Sequence, residues 1–127
     1  MVVIVDDDEA LLEALRFGFE LEGFQVQSHC SAGTVHAEVL PKSNCCLVID
    51  YKMPGLNGID LLARLRDRGV ELPTIIITSH ARPDILTRCR ALGASVVEKP
   101  LLGDGLLIEI RKALGLQTPW QDLGSDP

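Results

Sequence analysis

Short apolar runs of strand length recur along the chain, each closed by charged residues or turn formers: Val2-Val3-Ile4-Val5, Cys45-Cys46-Leu47-Val48-Ile49 and Thr74-Ile75-Ile76-Ile77-Thr78. A strand without polar alternation must be covered on both faces, as in a parallel sheet packed between helices. The segments between the runs carry apolar residues at helical spacing, so strand and helix alternate and an α/β architecture is predicted.

The first strand is predicted over Val2 to Val5. Asp8 caps a helix from Glu9 to Glu22, whose apolar set Leu11, Leu12, Leu15, Gly18 and Phe19 recurs at helical spacing, and Gly23 stops it. A second strand follows from Phe24 to Ser28, then a helix from Ser31 to Leu40, ended by Pro41. The third strand is Cys45 to Ile49 and the third helix runs from Gly58 to Arg68. After Pro73 come a strand from Thr74 to Thr78, a helix opened by Pro83 and ended at Gly93, a strand from Ser95 to Glu98 and a last helix from Gly105 to Leu114. Residues 1–116 form one domain on this reading. Residues 117–127, with Pro119, Gly124 and Pro127, read as a tail or the start of a linker, with Trp120 resting on the domain surface.

A chain of 127 residues is long enough to bury its own core. Its net charge of −6, without a basic run and with only 4% aromatic residues, argues against direct nucleic-acid binding by this segment. No apolar stretch approaches the roughly 18 residues of a membrane span, and no signal peptide precedes the first strand, so a cytoplasmic location is expected. Cys30, Cys45, Cys46 and Cys89 lack the spacing of a zinc or redox motif and read as reduced structural thiols.

The strand ends carry the chemistry. Asp50 closes the third run and opens the turn Tyr51-Lys52-Met53-Pro54-Gly55-Leu56-Asn57-Gly58; the first run ends in Asp6-Asp7-Asp8, the fourth in Thr78 and the fifth in Lys99-Pro100. Carboxyl ends of strands in an open α/β sheet are where ligands bind. If the first and third strands are neighbours, Asp6, Asp7 and Asp50 converge. Two such charges 4 Å apart repel by about 4 kcal/mol at an effective dielectric near 20. Either a carboxyl pKa rises sharply or a divalent cation sits among them, and an all-oxygen donor set suits Mg²⁺. A carboxylate beside Mg²⁺ can attack phosphorus to give an aspartyl phosphate, with the Lys99 ammonium neutralising the transferring group and the Thr78 hydroxyl donating to a phosphoryl oxygen. The small Ser79 side chain leaves room for the phosphate.

With these residues assembled, the chain resembles the receiver domain of bacterial two-component response regulators. The resemblance rests on Val5-Asp6-Asp7, Ile49-Asp50-Tyr51-Lys52-Met53-Pro54-Gly55-Leu56-Asn57-Gly58, Ile77-Thr78-Ser79 and Glu98-Lys99-Pro100, in the family's order over residues 1 to about 115. Each motif alone is weak; four in register at strand ends are specific. The resemblance implies a flavodoxin-like, doubly wound five-stranded sheet of order 2-1-3-4-5 with five helices. It implies that Asp50 accepts a phosphoryl group from a histidine kinase or histidine phosphotransfer protein, and that Asp6, Asp7, Asp50 and the backbone carbonyl of Lys52 hold Mg²⁺. Thr78 is then the switch hydroxyl, Lys99 the phosphate-binding ammonium, and Lys99-Pro100 a cis peptide. The domain modifies itself and turns over no external substrate, and a C-terminal effector domain or a homodimer carries its output. His80 with Glu98-Lys99-Pro100 is similar to regulators that carry a helix-turn-helix output.

One position departs from the pattern. Val96 stands where the family usually has an aromatic three residues before the lysine, and Gly93 to Lys99 looks one residue shorter than usual. Asp8 is read as a helix cap, His80 as a loop residue at the site mouth, and His29 and His36 as surface residues. Two other functions compete: a receiver-shaped interaction module that never uses phosphate, and a haloacid-dehalogenase-like phosphatase with Asp6 as nucleophile and Asp8 as acid, which leaves the Met53-Pro54-Gly55 turn unexplained.

Overall fold

The computed structural model describes residues 1–37, 39–101 and 103–116; of residues 36 and 37 the backbone alone is described. Ten elements alternate along the chain: β1 (Val2–Val5), α1 (Glu9–Leu21), β2 (Val26–His29), α2 (Ala32–Ala37), β3 (Cys46–Asp50), α3 (Gly58–Asp67), β4 (Thr74–Thr78), α4 (Pro83–Ala91), β5 (Ala94–Glu98) and α5 (Gly105–Ala113). The five strands pair in parallel in the order β2-β1-β3-β4-β5. The winding therefore reverses between β1 and β3, which opens a crevice at their carboxyl ends.

The sheet divides the core into two layers. Val3, Val5, Leu47, Ile49 and Ile76 face α2, α3 and α4, where they meet Val35, Ile59, Leu62, Leu65 and Ile85. Val2, Ile4, Cys46, Val48 and Ile77 face α1 and α5, against Leu12, Phe19, Leu106 and Ile110. Side chains alternate along a strand. Asp6 and Asp50 are thus in step with the α1/α5 layer, as is Lys99 two residues after Val97. Thr78 is in step with the α3/α4 layer.

Local signals place most helix ends. Asp8 accepts the Leu11 N–H at 3.2 Å and Asn57 accepts that of Asp60 at 2.9 Å, each through its side chain at an N-cap. Pro83 stands in the first turn of α4, and Gly93 takes a φ of 74° just past its end. Two further contacts tie α4 to α3. Arg66 on α3 donates through Nε to the Leu92 carbonyl (3.0 Å) just past α4 and through Nη1 to those of Val70 (2.9 Å) and Leu72 (3.0 Å) in the segment after α3. An exposed ion pair at 2.8 Å joins Arg88 of α4 to Asp60 of α3.

Several expectations are corrected. The second strand is Val26–His29 rather than Phe24 to Ser28, because Gly23 turns the chain with a φ of 95° and Phe24 packs beneath the α1/α5 layer instead of entering the ladder. His29 is buried, not a surface residue: its Nδ1 lies 3.0 Å from the Thr34 hydroxyl, and its carbonyl accepts the Asp6 N–H at 3.1 Å. Ser31 does accept the Thr34 N–H, at 3.4 Å, but the described helix ends at Ala37, and Val39 and Leu40 lie outside it. The third strand extends to Asp50, since the ladder continues past it with the Tyr51 N–H on the Ile77 carbonyl at 2.8 Å. The fifth strand begins at Ala94, paired with Thr74. The side chain of His36 and residues 117–127, Trp120 among them, lie outside the described residues. The four cysteines are free, with Cys45, Cys46 and Cys89 buried; burial pushes the Cys46 thiol up to about 12. Among the described residues no helix is long and apolar enough to cross a membrane.

Candidate functional site

The register fixes the site. Val5 lies level with Ile49, Asp50 with Ile77 and Thr78 with Glu98, so the residues at the four strand ends emerge together. Asp6, Asp7 and Asp50 each offer a carboxylate oxygen within 4.8 Å of the others. Asp6 and Asp50 are buried and Asp7 is exposed, which gives the cluster two floor ligands and one at its rim. Asp8 is turned to its capping role. Its backbone N–H donates to Asp6 Oδ1 at 2.9 Å and so orients that carboxylate.

Lys99 reaches the cluster from β5. Its Nζ lies 3.1 Å from Asp50 Oδ1, while its N–H donates to the Thr78 carbonyl at 2.8 Å. The Lys99-Pro100 peptide is cis. The Thr78 hydroxyl is within 3.3 Å of both the N–H and the carbonyl of His80, and so holds the loop after β4. Lys52, Ser79 and His80 line the same cleft, which has a volume of about 620 Å³. Val96 sits half-buried on β5 opposite Ile76, against the α3/α4 layer.

Charge is poorly balanced here. Burial drives the Asp6 carboxyl up to about 6, and the neighbouring Asp50 adds to the shift against the lowering by the Asp8 N–H and Lys99. Burial also raises Asp50, with Lys99 pulling the other way. One ammonium for three acids leaves negative charge in excess. Oxygen-only donors with unsatisfied negative charge fit a hard divalent cation of the size of Mg²⁺.

Gly58 has a role that sequence reasoning missed. A Cβ there would overlap the backbone oxygen of Asp50 and come to 3.0 Å from Ile49 Cγ2. The Gly58 N–H also donates to the Tyr51 carbonyl at 2.8 Å. The start of α3 is thereby pressed onto the backbone of Asp50. The only signal in the sequence is a glycine at an N1 position, where few turns require one. Arg82 and Ile85 on the far wall of the cleft were missed as well, since only the fold brings α4 there.

Residues 2–111 match the response regulator receiver domain family. The transcriptional regulatory protein FixJ of Azorhizobium caulinodans is 34% identical over 115 residues, 90% of this chain and 54% of that protein. The response regulator protein TodT of Pseudomonas putida is 34% identical over 119 residues, 91% of this chain and 52% of that protein. The chain thus spans about half the length of these relatives. Among solved structures, the crystal structure of FixJ-N superposes with a TM-score of 0.80 at 32% identity, covering 92% of this chain and 94% of the other. The response regulator StyR gives a TM-score of 0.83 at 32% identity, covering 96% of this chain and 62% of the other. The strand order, the acidic crevice at the carboxyl ends and the sequence match agree: this chain belongs to the response regulator receiver domains.

Proposed function

We propose that Asp50 is the phosphoacceptor of a two-component phosphorelay, charged by a histidine kinase or a histidine phosphotransfer protein. The observation that carries this is the Lys99 ammonium 3.1 Å from Asp50 Oδ1 beside two further carboxylates. Asp6, Asp7, Asp50 and the backbone carbonyl of Lys52 would hold Mg²⁺. When bound, the ion neutralises the acids and draws charge from the phosphoryl oxygens. Asp50 supplies a carboxylate oxygen that forms the new bond to phosphorus as the bond to the donor's imidazole nitrogen breaks, and the imidazole leaves with the electron pair. Lys99 meets the charge on the equatorial phosphoryl oxygens. Thr78 turns its hydroxyl from the His80 backbone to a phosphoryl oxygen and draws the following loop with it. The domain thus modifies itself and has no external substrate to turn over.

FixJ is named a transcriptional regulatory protein, and the greater length of FixJ and TodT accommodates an output domain. We therefore place this domain in the cytoplasm as the input half of a regulator, acting through a C-terminal effector or a homodimer. The phosphatase reading gains nothing from the geometry, because the Asp6 carboxylate accepts the Asp8 N–H and the Asp8 carboxylate, which that reading needs as the acid, caps α1 by accepting the Leu11 N–H. Incubation with a small phosphodonor and Mg²⁺, followed by peptide mapping, tests the assignment. Label is expected on Asp50 and is expected to vanish in Asp50→Asn and on chelation. Equal label in Asp50→Asn would sink it, and label on Asp6 would favour the phosphatase. A folded domain that accepts no label from kinase or small donor would point to the phosphate-independent interaction module.

A further inference from the structure

The chain leaves α5 through a defined turn. The Gly115 N–H donates to the Lys112 carbonyl at 3.1 Å and the Leu116 N–H to the Arg111 carbonyl at 2.7 Å, with Gly115 at a φ of 72°. Paired bonds of this kind around a left-handed glycine turn the chain back over the last turn of the helix. Leu116 is thereby laid against a hollow of about 300 Å³ at the amino ends of the strands, the opposite end of the sheet from Asp50. Phe24, Leu114 and Leu116 give the hollow apolar walls and Arg111 a cationic one. It stands at the foot of the range of roughly 300–1,000 Å³ for small-molecule sites, with room for little more than one large side chain. Arg111 is held in place there: its side chain is only 16% exposed, its guanidinium carbon lies 5.4 Å from the Phe24 ring centroid, and Nη2 is 3.3 Å from Glu22. Its Nε is buried and has no acceptor among the described residues. A planar cation so short of acceptors is served by aromatic rings, indole best of all. Leu116 beside it keeps 44% of its surface exposed.

We propose that this hollow is the seat of the chain's own Trp120, whose indole docks against Arg111 and over Leu114 and Leu116. Trp120 is the only tryptophan of the chain and follows Leu116 by four residues. Four extended residues span at most about 14 Å. That reach is ample, because Leu116 itself lines the hollow and the turn at Gly115 already aims the chain at it. So short a tether sets an effective concentration in the millimolar range, which favours this segment over a free ligand. Pro119 restricts the backbone just before the indole and lowers the entropy lost on docking. The exit of the chain from the domain is then fixed at the end of the sheet away from Asp50. This docking is independent of the chemistry at Asp50.

Fluorescence tests the proposal, since excitation beyond the absorption of Tyr51 leaves Trp120 as the one emitter. In the 127-residue chain the emission is expected to lie to the blue of that of a synthetic peptide of residues 117–127, with weaker acrylamide quenching, at every protein concentration. Two variants, Leu116→Ser and Arg111→Gln, are compared after their folding is checked by circular dichroism. In each, quenching is expected to rise by about fivefold, or to the peptide's value where that comes first, the scale of losing one apolar or cation–π contact. Wild-type emission and quenching equal to the peptide's overturn the proposal, as does quenching unchanged in either folded variant. Protection that fades on dilution assigns the indole to a second copy of the chain and overturns it. So does an exposed indole together with anilinonaphthalene sulfonate bound by the wild type and not by Leu116→Ser, which gives the hollow to a small molecule.

Discussion

Asp6 is held with its carboxyl near 6 against an ordinary value of 3.8. The folded domain therefore binds a proton there that the unfolded chain has already released between those two pH values. Stability then falls as pH rises through that window, because the native state is the one with more protons bound. Burial shifts Asp50 in the same direction and adds to the slope. In chelator, urea unfolding of the wild type is expected to show declining stability from about pH 4 to about pH 7. The Asp6→Asn variant, compared at the same pH values, is expected to show a shallower decline. Mg²⁺ is expected to restore stability above pH 6 and to do little at pH 4.5, where the proton occupies its ligand. Parallel slopes in wild type and variant would remove Asp6 as the cause. Asp6, Asp7 and Asp50 were all legible in the sequence, since an acid that closes an apolar run has only the strand end to occupy. His29 was not. Its burial depends on Thr34 and on β1, neither of which leaves a trace in the local pattern Val26-Gln27-Ser28-His29.

The junction of β3 and α3 is where an element boundary serves the site. Gly58 lies so close to the Asp50 carbonyl that a single methyl group has no space. Gly58→Ala is expected to cost about 1–3 kcal/mol in urea unfolding, the range for overpacking a rigid site. It is also expected to slow the proposed Asp50 labelling, because relief of the overlap must move either the Asp50 backbone or the first turn of α3. Wild-type stability and rate in this variant would show that the turn yields freely. The central elements were readable because β1, β3 and β4 are apolar on both faces and fully buried. The sheet edges were less so. β2 and β5 are only partly covered, so their ends are set by pairing with β1 and β4 rather than by hydrophobicity. The far wall of the cleft was illegible for a related reason: nothing in residues 82–85 by themselves says that the helix they begin faces residues 50–54.

At the scale of the whole molecule, the proposed phosphoryl group at Asp50 has to be felt elsewhere. A ligand biases two states only through contacts that differ between them. Val96 is short and stiff at χ1, and cannot leave one pocket to fill another as a ring does. The parts that the proposed phosphorylation is expected to move are Thr78, the loop that it holds through His80, and α4. Hydrogen exchange with and without beryllofluoride and Mg²⁺ is expected to change over residues 79–92. Changes confined to residues 50–58 would mean that the signal leaves by another route. The Arg66 contacts give that motion a shape. Arg66 grips the Leu92 carbonyl together with those of Val70 and Leu72, so the carboxyl end of α4 is bolted to the frame of the domain. The Arg88–Asp60 pair, one turn before Leu92, is exposed and weak. A rod fastened at one end and held at the other only by the packing of Ile85 swings as a lever, with its fulcrum at Leu92 and its tip at Pro83 beside the cleft. At about 1.5 Å per residue, nine residues make an arm of about 13 Å, so a tilt of about 10° carries the tip about 2 Å.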